Sequence, residues 1–311
     1  MTRTFDQRWA GRRVLVTGAS GFVGTALVQR LVQAGAQVSG VARRPPAHGP
    51  GIELHLSDLA DLAACRALIA SERPEIVLHT AGHPYAARDL AAVVPTFRDN
   101  LETTVNLLVA TAEAGIARLV LCGSLEEPEA GDETGALSSP YAISKSAATN
   151  YARMFHELYG HPVVVARLFM IYGPGQWALG KLIPSTILAL LRGEAPQIAS
   201  GDRPVDWIYI DDVVEGILAC ALASGVEGRR VDIGTGVLTT VREVVETLSA
   251  LLPAGPAPLF GTLPSRRAEQ VRAARVERTL AQVGWQAETS LRAGLERTIA
   301  WYREQQLTPC R

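Results

Sequence analysis

A strand that runs into a glycine-spaced turn and then a helix leaves a chain few folds to choose from, and this sequence has one near its start. Arg13-Val14-Leu15-Val16-Thr17 is a short apolar run of the buried-strand type. Gly18-Ala19-Ser20-Gly21-Phe22-Val23-Gly24 follows at once, and a helical pattern continues through Ala34-Gly35. Gly18 permits the tight turn, Gly21 lets the backbone approach a pyrophosphate, and Gly24 lets helix and strand pack closely. Ser20, Phe22 and Val23 complete this candidate dinucleotide-binding turn.

The pattern repeats along the first half. A strand over Gln37 to Val41 ends in Ala42-Arg43-Arg44, with no carboxylate where the adenosine ribose is read. An acidic side chain there favours the free 2′-hydroxyl of NAD, and arginine favours the 2′-phosphate of NADP. The cofactor expected is therefore NADP(H), with Arg43 the favoured phosphate partner and Arg44 beside it. Strands over Ile52 to Leu56 and Glu75 to His79 flank a helix over Leu62 to Ser71. Asp58-Leu59 falls where the adenine edge would lie, and Ala81-Gly82 suits a ligand passing close to a strand end. His79, at the end of an apolar strand, reads as a structural histidine. A helix over Thr96 to Ala114 carries Asn100 and Asn106, and a fifth strand, Arg118 to Cys122, delivers Gly123-Ser124. This alternation predicts a doubly wound parallel α/β sheet.

Ser139-Pro140-Tyr141-Ala142-Ile143-Ser144-Lys145 places a good N-cap before a proline suited to the first helical position, and Gly160 is a natural stop. Tyr141 and Lys145 then stack one turn apart on one face. A free tyrosine has a pKa of ~10, and a cation ~4 Å away would lower it, which predicts a phenol able to exchange a proton near neutral pH. Lys145 and Lys181 are the only lysines among 30 basic residues, so the chain uses a compact, tunable charge where tuning matters. Ser124, just past a central strand, would face the same crevice and hydrogen-bond a substrate oxygen.

A net charge of −1 and a pI of about 6.6 argue against a general affinity for nucleic acid or acidic membranes. No apolar run approaches a membrane span, and residues 1 to 11 hold no signal-peptide core, so a cytoplasmic enzyme is expected. Cys65, Cys122, Cys220 and Cys310 lack metal-ligand or redox spacing and read as reduced thiols without a catalytic role; no metal site is expected.

Together these residues resemble the extended short-chain dehydrogenase/reductase family, the NAD(P)-dependent sugar-nucleotide epimerases, dehydratases and reductases. The resemblance rests on Gly18-x-x-Gly21-x-x-Gly24, His79-Thr80-Ala81-Gly82, Ser124, Tyr141-x-x-x-Lys145 and Arg167-Leu168-Phe169-Met170-Ile171-Tyr172-Gly173-Pro174-Gly175. It rests also on Val205-Asp206-Trp207-Ile208-Tyr209-Ile210-Asp211-Asp212-Val213, Gly284-Trp285 and Ala300-Trp301-Tyr302. It implies a Rossmann domain over 1–174 that returns near 205–236, interleaved with a substrate domain over 175–204 and 237–311. Ser124, Tyr141 and Lys145 would be the catalytic triad, with Lys145 also holding the nicotinamide ribose. Asn100 and Leu168 join the implied cofactor set, and His83, Ser124, Met170, Lys181 and Arg266 the substrate set, with Arg267 competing for the role of Arg266. A homodimer through the helices near Asn100 and Tyr151 is likewise implied.

Three departures narrow the reaction. Met170 stands where nucleotide-sugar members commonly carry asparagine, Pro128-Glu129 replaces the usual Tyr-Gly, and Leu125 stands where the 4,6-dehydratases place a proton-donating aspartate. The run Gly123-Ser124-Leu125-Glu126-Glu127 looks most like reductases of nucleotide-linked 4-keto-6-deoxyhexoses, with Glu126 matching a carboxylate near the sugar. The expected reaction is NADPH-dependent reduction of such a ketone. An epimerase, a reductase of a non-nucleotide ketone and a cofactor-sensing protein without chemistry are the alternatives.

Overall fold

The computed structural model describes residues 7–45, 51–84, 86–129, 138–264 and 270–307. Strands β1 (Arg13–Thr17), β2 (Gln37–Ala42), β3 (Leu54–Leu56), β4 (Ile76–His79), β5 (Arg118–Ser124), β6 (Val163–Leu168) and β10 (Arg230–Ile233) form one sheet. Its order is β10-β6-β5-β4-β1-β2-β3, and every neighbouring pair is parallel. The order reverses at β1 and β4, which opens a crevice at their carboxyl ends.

Alternation along the strands builds two cores. Val14, Val16, Leu78, Val120 and Val164 pack on one face, and Leu15, Val77, Leu119, Leu121 and Val165 on the other. The central strands are thus apolar on both faces, as expected when helices cover both, with the buried Arg167–Asp232 pair of β6 and β10 as a charged exception at the edge. Helix α1 (Phe22–Gln33) buries Gly24, Leu27, Val28 and Leu31, and α2 (Leu62–Glu72) buries Cys65, Leu68 and Ile69.

The long helix expected over Thr96 to Ala114 is broken. A single turn, α3 (Val93–Thr96), leads into a π-helical segment (Phe97–Glu102) and then α4 (Thr103–Ala114). The wider turn carries Asn100, which is fully buried. Helix α5 (Pro140–Tyr159) begins and ends as its sequence predicts: Ser139 Oγ accepts the Ala142 N–H at 3.2 Å, and Gly160 closes it at φ 64°.

Three further strands, β7 (Met170–Tyr172), β9 (Pro204–Tyr209) and β11 (Leu238–Thr240), form a smaller sheet in the order β11-β9-β7. The stretch expected to return to the main sheet from about residue 205 therefore begins in the small sheet. It reaches the main one only through α7 (Ile210–Leu222) and β10. Helix α6 (Leu182–Leu191), the β8–β12 pair (Gln197–Ile198, Leu259–Phe260) and helices α8 (Val241–Leu251), α9 (Val276–Val283) and α10 (Leu291–Leu307) complete the described chain. No helix among the described residues is long and apolar enough to cross a membrane.

Candidate active site

Ser124 ends β5 in register with Leu168 of β6 and is 7% exposed. Tyr141 opens α5 beside it, and the phenol is hydrogen-bonded to the Ser124 side chain. One turn on, Lys145 Nζ donates to the Cys122 carbonyl at 2.9 Å. Strand end and helix start thus bring the three residues together, because β5 is central and α5 packs on β5 and β6.

The electrostatics differ from the sequence expectation of a lowered tyrosine. Burial pushes the Tyr141 phenol up to about 12; the Ser124 hydrogen bond opposes this, while the nearby Glu127 and Glu126 carboxylates add to it. Burial also pulls Lys145 below its ordinary value, and its ammonium is directed at a carbonyl. In the protein by itself the phenol is a held proton, not a poised anion.

Two adjacent carboxylates follow Ser124 and have different surroundings. Glu126 donates its N–H to Ser124 Oγ at 3.2 Å, and its carboxylate accepts from Arg203 Nη2 at 3.1 Å and Ser138 Oγ at 3.4 Å. Glu127, 1% exposed, accepts the Ser124 N–H at 2.6 Å and the Thr149 hydroxyl at 2.8 Å. Burial raises its pKa against those hydrogen bonds. A Cβ on Gly123 would lie 2.6 Å from Glu127 Oε1, so the carboxylate can approach only because that residue is glycine. The sequence pattern singles out Glu126 and misses Glu127, Thr149 and Arg203. The one signal it carries is the glycine immediately before the serine, with a second acid three residues after it.

The crevice holds a cavity of about 200 Å³ whose walls include Gly18, Ser20, Gly21, Arg43, Asp58, Leu59, Ala81, Gly82 and Asp99. Gly18, at φ 67°, leaves no room for a Cβ, which would sit 2.6 Å from the Ala81 backbone nitrogen. Gly24 has the packing role expected, since a Cβ there would collide with the Gly18 carbonyl. Gly21 caps α1 without a side-chain hydrogen bond, so the first N–H groups of the helix have no side-chain cap, and Ser20 and Gly21 just before them line the cavity. That end suits a pyrophosphate. Phe22 and Val23 start α1 and pack against the core.

Arg43 lines this cavity, but its fork is already engaged, donating to Asp99 at 2.5 and 3.1 Å. Arg44 is exposed. Asp58 accepts from Arg98 at 2.8 Å. Asn100 accepts the His83 N–H at 2.6 Å and donates to Ser144 Oγ at 3.0 Å, bracing the Gly82-His83 turn against α5. His83 Nδ1 is 3.9 Å from Asp99. Met170 lies in β7 and Lys181 is the N-cap residue of α6, so both stand on elements other than those that hold the triad. Arg266 and Arg267 lie outside the described residues.

His79 is the structural residue expected: it is 2% exposed, its ring lies 2.7 Å from Thr17 Oγ1 and 3.1 Å from Thr104 Oγ1, and burial holds its pKa near 3. Cys65, Cys122 and Cys220 are free thiols pushed up to about 11, 11 and 12 by burial, which disfavours the reactive thiolate.

Residues 14–234 match the model of the NAD dependent epimerase/dehydratase family. The chain is 30% identical to the UDP-glucose 4-epimerase of Mycolicibacterium smegmatis, over 94% of this chain and 98% of that protein. It is 29% identical to the dTDP-glucose 4,6-dehydratase of Neisseria gonorrhoeae, over 94% and 95%. Among solved structures, MoeE5 in complex with UDP-glucuronic acid and NAD superposes with a TM-score of 0.83 at 31% identity, covering 94% of this chain and 99% of that one. UDP-glucose 4-epimerase of Thermus thermophilus in complex with NAD gives 0.81 at 26%, with the same coverage.

Proposed function

The chain belongs to the NAD dependent epimerase/dehydratase family, and from that premise we propose that it reduces the ketone of a nucleotide-linked 4-keto-6-deoxyhexose to the 4-hydroxy sugar, using NADPH. When bound, the cofactor supplies a hydride to the ketone carbon. Tyr141 delivers its proton to the ketone oxygen as the carbon–oxygen double bond becomes a single bond, and the Ser124 hydroxyl hydrogen-bonds the same oxygen. The phenol is protonated well above neutral pH, the state that proton donation needs. The Gly18-to-Gly24 turn would hold the pyrophosphate, Lys145 the nicotinamide ribose and Arg43 the 2′-phosphate. For Arg43 this requires release from Asp99.

One observation counts against dehydration and leaves a ketone reaction. Leu125, at the position where the dehydratases place a proton donor, is 5% exposed and packs into the core. Nothing at that position can protonate a departing hydroxyl, while the donor for a ketone oxygen is in place at Tyr141. The homodimer implied by the family is supported by exposed Val94, Phe97, Tyr151 and Leu158 on the neighbouring α3, π-helical and α5 segments. A cytoplasmic location belongs to the same proposal.

A 4-epimerase is the second reading, favoured by the names of the relatives and by the Asp99 contact that occupies Arg43. Deuterium at the transferable position of NADPH separates the two. A reductase places one deuterium on the carbon of each product sugar and consumes the cofactor, whereas an epimerase alters the sugar without net consumption or stoichiometric label.

A further inference from the structure

Between α5 and α9, against the edge strand β10, lies a cavity of about 360 Å³ that the proposed reaction does not use. Its volume falls in the range of roughly 300–1,000 Å³ usual for small-molecule sites. Six guanidinium groups, those of Arg153, Arg167, Arg229, Arg230, Arg275 and Arg278, line it against three carboxylates, those of Glu127, Glu129 and Asp232.

The carboxylates are already engaged. Asp232 takes the Arg167 fork through both oxygens at 2.7 Å. Glu129 accepts from Arg167 at 2.6 Å and from Arg230 at 2.7 Å, and Glu127 is turned toward Ser124 and Thr149. Arg229, Arg275 and Arg278 are exposed at the rim, with Arg275 3.8 Å from Glu129. The cavity therefore carries surplus positive charge on planar forks, which match anions with several oxygens.

We propose that this cavity binds a polyanionic phosphate, of the pyrophosphate or nucleotide type, at a site separate from the cofactor crevice. Its floor leads to the catalytic turn. Arg272 lies 3.4 Å from Glu129 and donates to the carbonyls of Leu125 and Glu127 at 3.0 and 2.9 Å, and Glu127 holds the Ser124 N–H. An anion that draws Arg230 and Arg275 to itself weakens their hold on Glu129. Arg272 then gains in its share of that carboxylate, and the change is felt at the turn that presents Ser124. This inference stands independently of the reaction proposed above.

The test is calorimetric titration of the full-length protein, saturated with NADP+ and at low salt, with inorganic pyrophosphate and in parallel with UDP. Amide hydrogen exchange over residues 124–127 is read at each end point. One equivalent should bind, and the double variant Arg229→Glu/Arg278→Glu should weaken it by roughly tenfold or more, the loss of charge-assisted hydrogen bonds. Exchange at 124–127 should change on binding. UDP also fits the proposed substrate site, so only the share of binding lost in the double variant belongs to this cavity: a larger lost share for UDP than for pyrophosphate assigns a nucleotide source, and an equal share a phosphate group alone. Arg278→Ala, a smaller surface change, repeats the comparison should the double variant fail to fold. Absence of binding, affinity unchanged in the variants, or binding that leaves exchange at 124–127 unaltered would each overturn the proposal.

Discussion

Glu127 accepts the Ser124 backbone N–H at 2.6 Å with one carboxylate oxygen and the Thr149 hydroxyl at 2.8 Å with the other. One buried side chain thus ties the strand that ends in the serine to the helix that carries Tyr141 and Lys145. Glu127→Ala leaves a buried N–H unpaired, at a cost of about 1–3 kcal/mol. Thermal unfolding should come several degrees earlier and the proposed turnover should fall. Gly123→Ala should reproduce both effects from the other side, because its Cβ would press on the same carboxylate. Unchanged stability and turnover in both variants would remove Glu127 from the account.

The Tyr141 phenol is pushed up to about 12, chiefly by burial. In cofactor-free protein, the ultraviolet phenolate difference between wild type and Tyr141→Phe should be absent near pH 7 and emerge only in strongly alkaline solution. A one-tyrosine step near neutrality would show that Lys145 governs the phenol after all.

Arg43 reaches the 2′-phosphate only by leaving Asp99. Arg43→Ala should weaken NADPH binding by roughly tenfold or more, the worth of a charge-assisted contact, and leave NADH nearly unaffected. Asp99→Asn should tighten NADPH by freeing the fork. Fluorescence titration with each cofactor checks both, and equal losses for NADPH and NADH in Arg43→Ala would count against NADP selection.

Burial disfavours the Glu129 carboxylate, but the hydrogen bond from Arg167 and the charges of Arg167, Arg230 and Arg272 outweigh it and hold the carboxyl at about 2. A folded-state pKa below the ordinary 4.5 means the stabilisation is present above that value and lost as pH falls toward 2. The stability gap between wild type and Glu129→Gln at neutral pH should narrow as pH falls from 4.5 toward 2. Denaturant melts at pH 7, 4 and 3 measure it, and a gap independent of pH would contradict the ion-pair reading.

Features encoded over a few neighbouring residues are legible in the sequence. The cap and stop of α5 depend on Ser139, Pro140 and Gly160 alone, and the β1 turn on three glycines. Contacts between distant segments are not legible there. The partner of Arg43 is 56 residues away, on a π-helical turn that widens a helix whose sequence reads as regular. Glu126 and Glu127 are chemically alike, and only the packing of α5 on β5 decides which is buried against Ser124 and which meets Arg203. The expectation of a lowered phenol fails for a related reason: spacing places Lys145 near Tyr141, but burial of the pair and two carboxylates nearby reverse the sign.

The most direct measurement is the loss of reduced-nicotinamide absorbance when the purified protein and NADPH meet a nucleotide 4-keto-6-deoxyglucose, with NADH and the Tyr141→Phe variant run alongside. The account predicts stoichiometric NADPH loss, little NADH loss, and no turnover by the variant despite intact NADPH binding. An altered sugar with neither cofactor consumed, or a variant that keeps an appreciable share of the rate, would contradict it.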